Sequence, residues 1–182
     1  MSAATRQLRK KVCLLGDMSV GKTSLVRRFV EGRFDDRYLS TLGVKVSRKV
    51  VDLHTDSGVV ELSILLWDIA GGVDTVDIAL RTSYLRGSSG AVLVCDLTRA
   101  ETLRNLIQYA HQLRVVAPTA VLVLAANKAD LEAEHQVTAD DLAQVAGELG
   151  ATSIITSAKT GAGVEDLFRV LGDAMVATTA ER

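Results

Sequence analysis

The sequence predicts an α/β domain with a doubly wound, mostly parallel six-stranded sheet carrying one antiparallel strand. Three observations predict it. Short apolar runs alternate with amphipathic stretches along the whole chain. Residues 91–95 (Ala-Val-Leu-Val-Cys) and 120–126 (Ala-Val-Leu-Val-Leu-Ala-Ala) are apolar at every position, as parallel strands buried on both faces are. Residues 44–53 and 59–67 are separated only by His54-Thr55-Asp56-Ser57-Gly58, a turn that pairs them as an antiparallel hairpin.

The remaining elements follow in order. Residues 12–15 (Val-Cys-Leu-Leu) read as the first strand and 21–31 as the first helix. Amphipathic spacing places helices over 100–115, 138–149 and 164–177, with a short strand over 153–156 between the last two. Thr138 has the hydroxyl of an N-cap, and Gly150 suits the left-handed residue that stops a helix. No internal repeat, low-complexity stretch or linker divides the chain. One domain is expected over residues 10–177, with a lead-in over 1–9 and a short tail over 178–182.

Composition narrows the function classes. A chain of 182 residues with 48% hydrophobic content can bury a sizeable core. A net charge of −1 and a pI near 6.3 give no electrostatic case for nucleic acid. The basic start, Arg6, Arg9, Lys10 and Lys11, reads as a solvated lead-in to the first strand. Cys13 and Cys95 sit in apolar runs and read as buried free thiols of a reducing compartment, not a disulfide or metal pair. The N-terminus lacks an apolar signal core, Ser2 excludes N-myristoylation, and Thr178-Thr179-Ala180-Glu181-Arg182 holds no prenylation box. These features lead to the expectation of a cytoplasmic protein without a lipid anchor in this chain, meeting membranes only through a partner or a tail beyond Arg182.

Four segments carry the chemistry. Gly16-Asp17-Met18-Ser19-Val20-Gly21-Lys22-Thr23 has the spacing of a phosphate-binding loop, and it follows a strand and opens a helix, the context that makes such a match specific. Its glycines let backbone N–H groups face phosphate oxygens, and the helix N-terminus adds partial positive charge. Lys22 is expected on the β- and γ-phosphates and Thr23 on Mg²⁺; Gly16, Ser19, Val20, Gly21 and Ser24 complete the nucleotide contacts. Asp68 ends the apolar run Ile64-Leu65-Leu66-Trp67, where its carboxylate can hold Mg²⁺ directly or through water. Gly71, three residues on, presents a backbone N–H that can sense the γ-phosphate. Asn127-Lys128-Ala129-Asp130 follows the strand at 120–126. The Asp130 carboxylate accepts from the N1–H and 2-amino donors of guanine, a pair adenine lacks, so the wrong base leaves polar groups unpaired. Asn127 is expected to bond the base and tie this loop to the phosphate loop, and the Lys128 stem to lie on base and sugar. Ser157-Ala158-Lys159 resembles the last motif of a guanine-nucleotide-binding family, which implies that the Ala158 N–H donates to guanine O6.

Between these segments lies Tyr38-x-x-Thr41-x-Gly43-Val44. Together with Trp67-Asp68-Ile69-Ala70-Gly71 and the strand end Asp96-Leu97-Thr98, it resembles the Ras superfamily of small GTPases, most of all its Rab branch. The resemblance covers the chain from about residue 10 to about residue 177. It implies GTP or GDP bound with Mg²⁺, with Thr23, Thr41 and Asp68 around the metal. It also implies Phe34 against the guanine ring, Tyr38 over the phosphates, and hydrolysis served by Lys22, Thr41 and Gly71. Without the resemblance, Phe34 and Tyr38 serve equally well as loop anchors.

One position departs from the family. Where a water-orienting glutamine usually follows Asp-x-x-Gly, this chain has Gly72. Two successive glycines also raise the entropic cost of ordering the segment. Phosphoryl transfer depends on positioning and charge stabilisation, so slow intrinsic hydrolysis is expected unless Asp74, Thr75 or a partner protein compensates. Met18 in the phosphate loop is a minor departure: bulk there can obstruct an incoming arginine. Residues 73–85 lack the family's acidic and arginine-rich pattern; Val73, Val76, Ile78, Ala79 and Leu80 make them apolar. This stretch, ending at Leu85, reads as a docking face for an effector, exchange factor or activating protein, as does the region of Thr41; a helix packed on the domain is the other reading. Two functions stay open: a slow GTPase switch, or a GTP-binding module with negligible hydrolysis controlled by occupancy or exchange.

Overall fold

The computed structural model describes residues 6–37, 40–56, 58–72 and 78–180. Six strands form one sheet in the order β2-β3-β1-β4-β5-β6. They are β1 (Arg6–Leu15), β2 (Val44–Thr55), β3 (Gly58–Ile69), β4 (Gly90–Asp96), β5 (Val121–Asn127) and β6 (Thr152–Ile155). The edge strand β2 pairs antiparallel with β3, and all other pairings are parallel. Among the described residues six α-helices accompany the sheet: α1 (Lys22–Glu31), α2 (Ile78–Leu85), α3 (Ala100–Arg104), α4 (Leu106–Val116), α5 (Ala139–Leu149) and α6 (Val164–Ala180). No helix among the described residues is long and apolar enough to cross a membrane.

The alternation of side chains along a strand splits the interior into two cores. Val12 and Leu14 face one side with Leu25, Phe29, Phe168 and Leu171 of α1 and α6. Cys13 and Leu15 face the other with Leu106, Tyr109, Leu142 and Leu149 of α4 and α5. Phe29 and Phe168 stack at 4.0 Å between centroids and fasten α1 to α6. β4 is buried along its whole length, which accounts for its unbroken apolar run.

Boundaries differ from the sequence reading in two places. β1 begins at Arg6 because the polar residues 6–11 continue the ladder with β3, Arg6 opposite Val60 and Leu14 opposite Asp68. The basic stretch is thus strand, not lead-in; Lys10 Nζ donates to Thr179 and Lys11 Nζ lies 3.7 Å above the Trp67 ring. The helix expected over 100–115 is split at Asn105 into α3 and α4. Asn105 turns its amide out of the helix to donate to Asp17, 2.8 Å away.

Candidate functional site

The carboxyl ends of the strands surround a cavity of about 510 Å³. Gly21, Lys22, Thr23 and Ser24 line one side, Phe34 and Thr41 another, and Asn127, Lys128, Asp130, Ala158 and Lys159 the far end. The loop after β1 approaches its surroundings so closely at its two glycines that a side chain has no room there. A Cβ on Gly16 would stand 2.3 Å from the Val94 carbonyl oxygen. Gly21 has φ +106°, and Ser19 also has a left-handed φ of +63°. Lys22 is buried, and its Nζ spans the loop to the carbonyls of Gly16 at 2.9 Å and Asp17 at 2.7 Å. Burial pulls its ammonium down to about 8 against the attraction of Asp68 and Asp17, and the charges of Arg81 and Arg99 act in the same direction as burial. An anion in the cavity would relieve that cost.

Thr23, Thr41 and Asp68 converge. The Thr23 hydroxyl is 2.5 Å from Asp68 Oδ2 and 2.8 Å from the Thr41 hydroxyl. Asp68 is 1% exposed, and its Oδ1 has no hydrogen-bond partner among the described residues. Burial raises the carboxyl above its ordinary range, opposed by the Thr23 hydrogen bond and Lys22. Two hydroxyls and an orphaned carboxylate oxygen are a hard-oxygen set, which fits Mg²⁺ completed by phosphate and water oxygens.

At the far end Asn127 Nδ2 donates to the Val20 carbonyl at 2.9 Å, tying this loop to the phosphate loop. Its Oδ1 accepts from the Thr156 hydroxyl and the Ala158 N–H, each at 3.2 Å. The Ser157 hydroxyl donates to Asp130 Oδ1 at 2.6 Å and fixes the carboxylate that faces the cavity rim. Lys128, with φ +69°, reaches Asp96 Oδ2 at 2.6 Å, and Arg99 joins the same carboxylate at 3.1 Å. Opposed by burial, Lys128 and the Thr98 hydrogen bonds leave the Asp96 carboxyl below its ordinary range. Arg28 supports the last segment by donating from Nε to the Ala158 carbonyl at 2.8 Å.

A model of the Ras family matches residues 11–177 of this chain. The chain belongs to the Ras family. It is 37% identical over 166 residues to Ras-related protein Rab-22A of Mus musculus, covering 91% of this chain and 81% of the relative. To Ras-related protein Rab-31 of Homo sapiens it is 36% identical over 171 residues, covering 91% and 82%. To Ras-related protein Rab5 of Nicotiana tabacum it is 38% identical over 162 residues, covering 88% and 78%. It is a Rab-like small GTPase, a guanine-nucleotide-dependent switch of a family that hydrolyses GTP.

Beyond β3, Gly71 packs against the phosphate loop. A Cβ there would stand 2.5 Å from Lys22 Nζ and 2.6 Å from the Asp17 carbonyl oxygen, so only glycine fits. Gly72 has φ +95°. Its N–H donates to the Tyr109 hydroxyl at 3.2 Å, and its carbonyl accepts from Arg81 Nη2. Tyr109 in turn donates to Asp17 Oδ1 at 2.9 Å. Burial and Asp17 push the phenol far above its ordinary range, so it stays protonated. Arg81 and Tyr109 were not legible as site residues, because each acts through a long-range contact and belongs to no short motif; Asp17 lies within the phosphate-loop segment, at a position whose side chain the motif leaves open. Asp96 opens a recognised strand end and Arg99 stands just beyond it, which is the one signal that could have found their role. Tyr38 and residues 73–77 lie outside the described residues.

Proposed function

We propose that this GTPase is a slow switch whose intrinsic hydrolysis is limited at Gly72. Lys22 holds the β- and γ-phosphates, and the loop N–H groups from Gly16 to Thr23, with Ser24, take the remaining phosphate oxygens. Thr23, Thr41 and Asp68 hold Mg²⁺, which when bound neutralises charge on the phosphate oxygens. Asp130 reads guanine, Asn127 and the Ala158 N–H bond its edge, and Phe34, Lys128 and Lys159 border the base and sugar. Thr41 and Gly71 sense the γ-phosphate, so its loss releases both segments. The close grouping of Thr23, Thr41 and Asp68 supports this reading.

The observation that carries the slow rate is Gly72 itself: the position that normally positions water has no side chain. Its backbone polar groups are already engaged by Tyr109 and Arg81. Effectors and regulators dock at the Thr41 region and along residues 73–85. Leu42 at 91% exposed and Leu80 at 46% exposed support an apolar face there.

Single-turnover hydrolysis of GTP on the purified protein with Mg²⁺, beside a Gly72→Gln variant, tests the reading. Wild type is expected below the intrinsic Ras rate, which is on the order of 10⁻⁴ s⁻¹. The variant is expected to be faster. An ordinary or fast wild-type rate that the variant leaves unchanged sinks the account of Gly72. A wild-type rate indistinguishable from buffer favours the second reading, a GTP-binding module governed by exchange.

A further inference from the structure

Arg81 is 4% exposed, yet its Nε and Nη1 have no hydrogen-bond partner among the described residues. Its guanidinium carbon lies 5.6 Å from the centre of the Tyr109 ring, and Nη2 donates to the Gly72 carbonyl. A buried cation so sparsely bonded is costly, and packing alone would be served better by an apolar side chain. Tyr109 is 2% exposed and also spends its polar end on Gly72 and on Asp17. Asp17 is held on its other oxygen by Asn105 at 2.8 Å, and its carbonyl receives Lys22 Nζ. Both backbone polar groups of Gly72 are therefore taken by side chains from two different helices, and the second of these is tied to the phosphate loop.

We propose that Arg81 and Tyr109 are positioning residues that clamp the Gly72 backbone, tie it to the phosphate loop through Asp17 and thereby favour the triphosphate state. The proposal rests on the reading of Gly71 as the γ-phosphate sensor. The physical need is specific to this chain. Two glycines in succession lose more freedom on ordering than other residues, and Gly72 offers no side chain to hold itself in place. The clamp supplies that order from outside the segment. Neither residue lines the nucleotide cavity. They act by making the ordered second switch cheaper to form, so they favour GTP over GDP and support hydrolysis through Gly71.

The test compares Tyr109→Phe, Arg81→Ala and Arg81→Lys with wild type. Two readouts are taken: affinity for GDP and for a non-hydrolysable GTP analogue, and single-turnover GTP hydrolysis. Loss of one ordering hydrogen bond is worth about tenfold in an equilibrium. Tyr109→Phe and Arg81→Ala are expected to lower the analogue-to-GDP affinity ratio by about tenfold, with GDP affinity within about twofold. Hydrolysis is expected to fall in proportion, and Arg81→Lys, which keeps a donor for the Gly72 carbonyl, to retain most of both. A merely structural role would lower both affinities together and leave their ratio unchanged; that result in a folded variant overturns the clamp. If Arg81→Ala does not fold, Tyr109→Phe, which removes a single oxygen, carries the test. A wild type that does not hydrolyse GTP ends the hydrolysis reading alone, and the affinity ratio still decides the clamp.

Discussion

At the scale of single residues, the site is built by glycines that admit close approach. A Cβ on Gly21 would stand 2.2 Å from Asn127 Nδ2, the group that ties the base-reading loop to the Val20 carbonyl. The left-handed φ of Gly21 adds backbone strain to that collision. Gly21→Ala is therefore expected to displace Asn127 and cost two hydrogen bonds, about 100-fold in affinity for GDP and GTP alike. Titration with a fluorescent GDP measures it, and a loss under about threefold would mean that Asn127 does not organise the pocket. The same reasoning qualifies the Gly72→Gln comparison. At φ +95° a glutamine is strained, so any gain in hydrolysis appears despite a backbone penalty. A faster variant is then stronger support for the missing side chain than its size alone indicates.

At the scale of elements, α5 shows local sequence chemistry at work. Thr138 accepts from the Asp141 N–H at 3.1 Å, and Asp141 Oδ2 accepts from the Thr138 N–H at 3.0 Å, a reciprocal capping box. Gly150 ends the helix with φ +60°. Thr138→Ala is expected to cost about 1 kcal/mol in urea unfolding. Hydrogen bonds from the Thr138 N–H and hydroxyl hold the Asp141 carboxyl below its ordinary range. A depressed carboxyl stabilises above its unfolded value and loses that contribution as pH falls through the folded one. The cost of Thr138→Ala should thus stay constant from pH 5 to pH 8 and shrink only below about pH 4. A cost that changes between pH 5 and pH 8 would rule out this cap as its source. Such caps were legible because Thr138 and Gly150 act on neighbours in sequence. The division at Asn105 was not: its backbone stays right-handed helical, and only the hydrogen-bond ladder shifts there, with the Gln108 N–H donating to the Asn105 carbonyl. The early start of β1 was missed for a related reason: ladder pairing with β3 carries polar residues that no apolar pattern marks.

At the scale of the whole molecule, the parallel sheet gathers distant segments at one edge, and a nucleotide would bridge them. Asn127 and Val20, joined by one hydrogen bond, are 107 residues apart in sequence, and Arg28 and Lys159 are 131 apart. The motifs were readable because each is contiguous and follows a strand; their meeting point follows from the parallel topology. The network around Gly72 was not readable, since Asp17, Arg81 and Tyr109 meet only after the helices pack. A ligand that spans the phosphate loop, Asn127 and Ala158 binds the folded chain alone, so it must stabilise the whole domain by mass action. With free GDP and Mg²⁺ at about 1,000 times the dissociation constant, the gain is about 4 kcal/mol. For a domain of this size that corresponds to a rise in melting temperature of roughly 8–16 °C over the nucleotide-free protein. ADP at the same concentration should give less than about 2 °C, because Asp130 finds no paired donors on adenine and each kcal/mol of binding is worth only a few degrees. Differential scanning fluorimetry on nucleotide-stripped protein makes the comparison. An equal rise with ADP would remove Asp130 from base recognition while leaving the phosphate loop intact. No rise with either nucleotide would mean that the cavity does not bind nucleotide as the folded chain presents it.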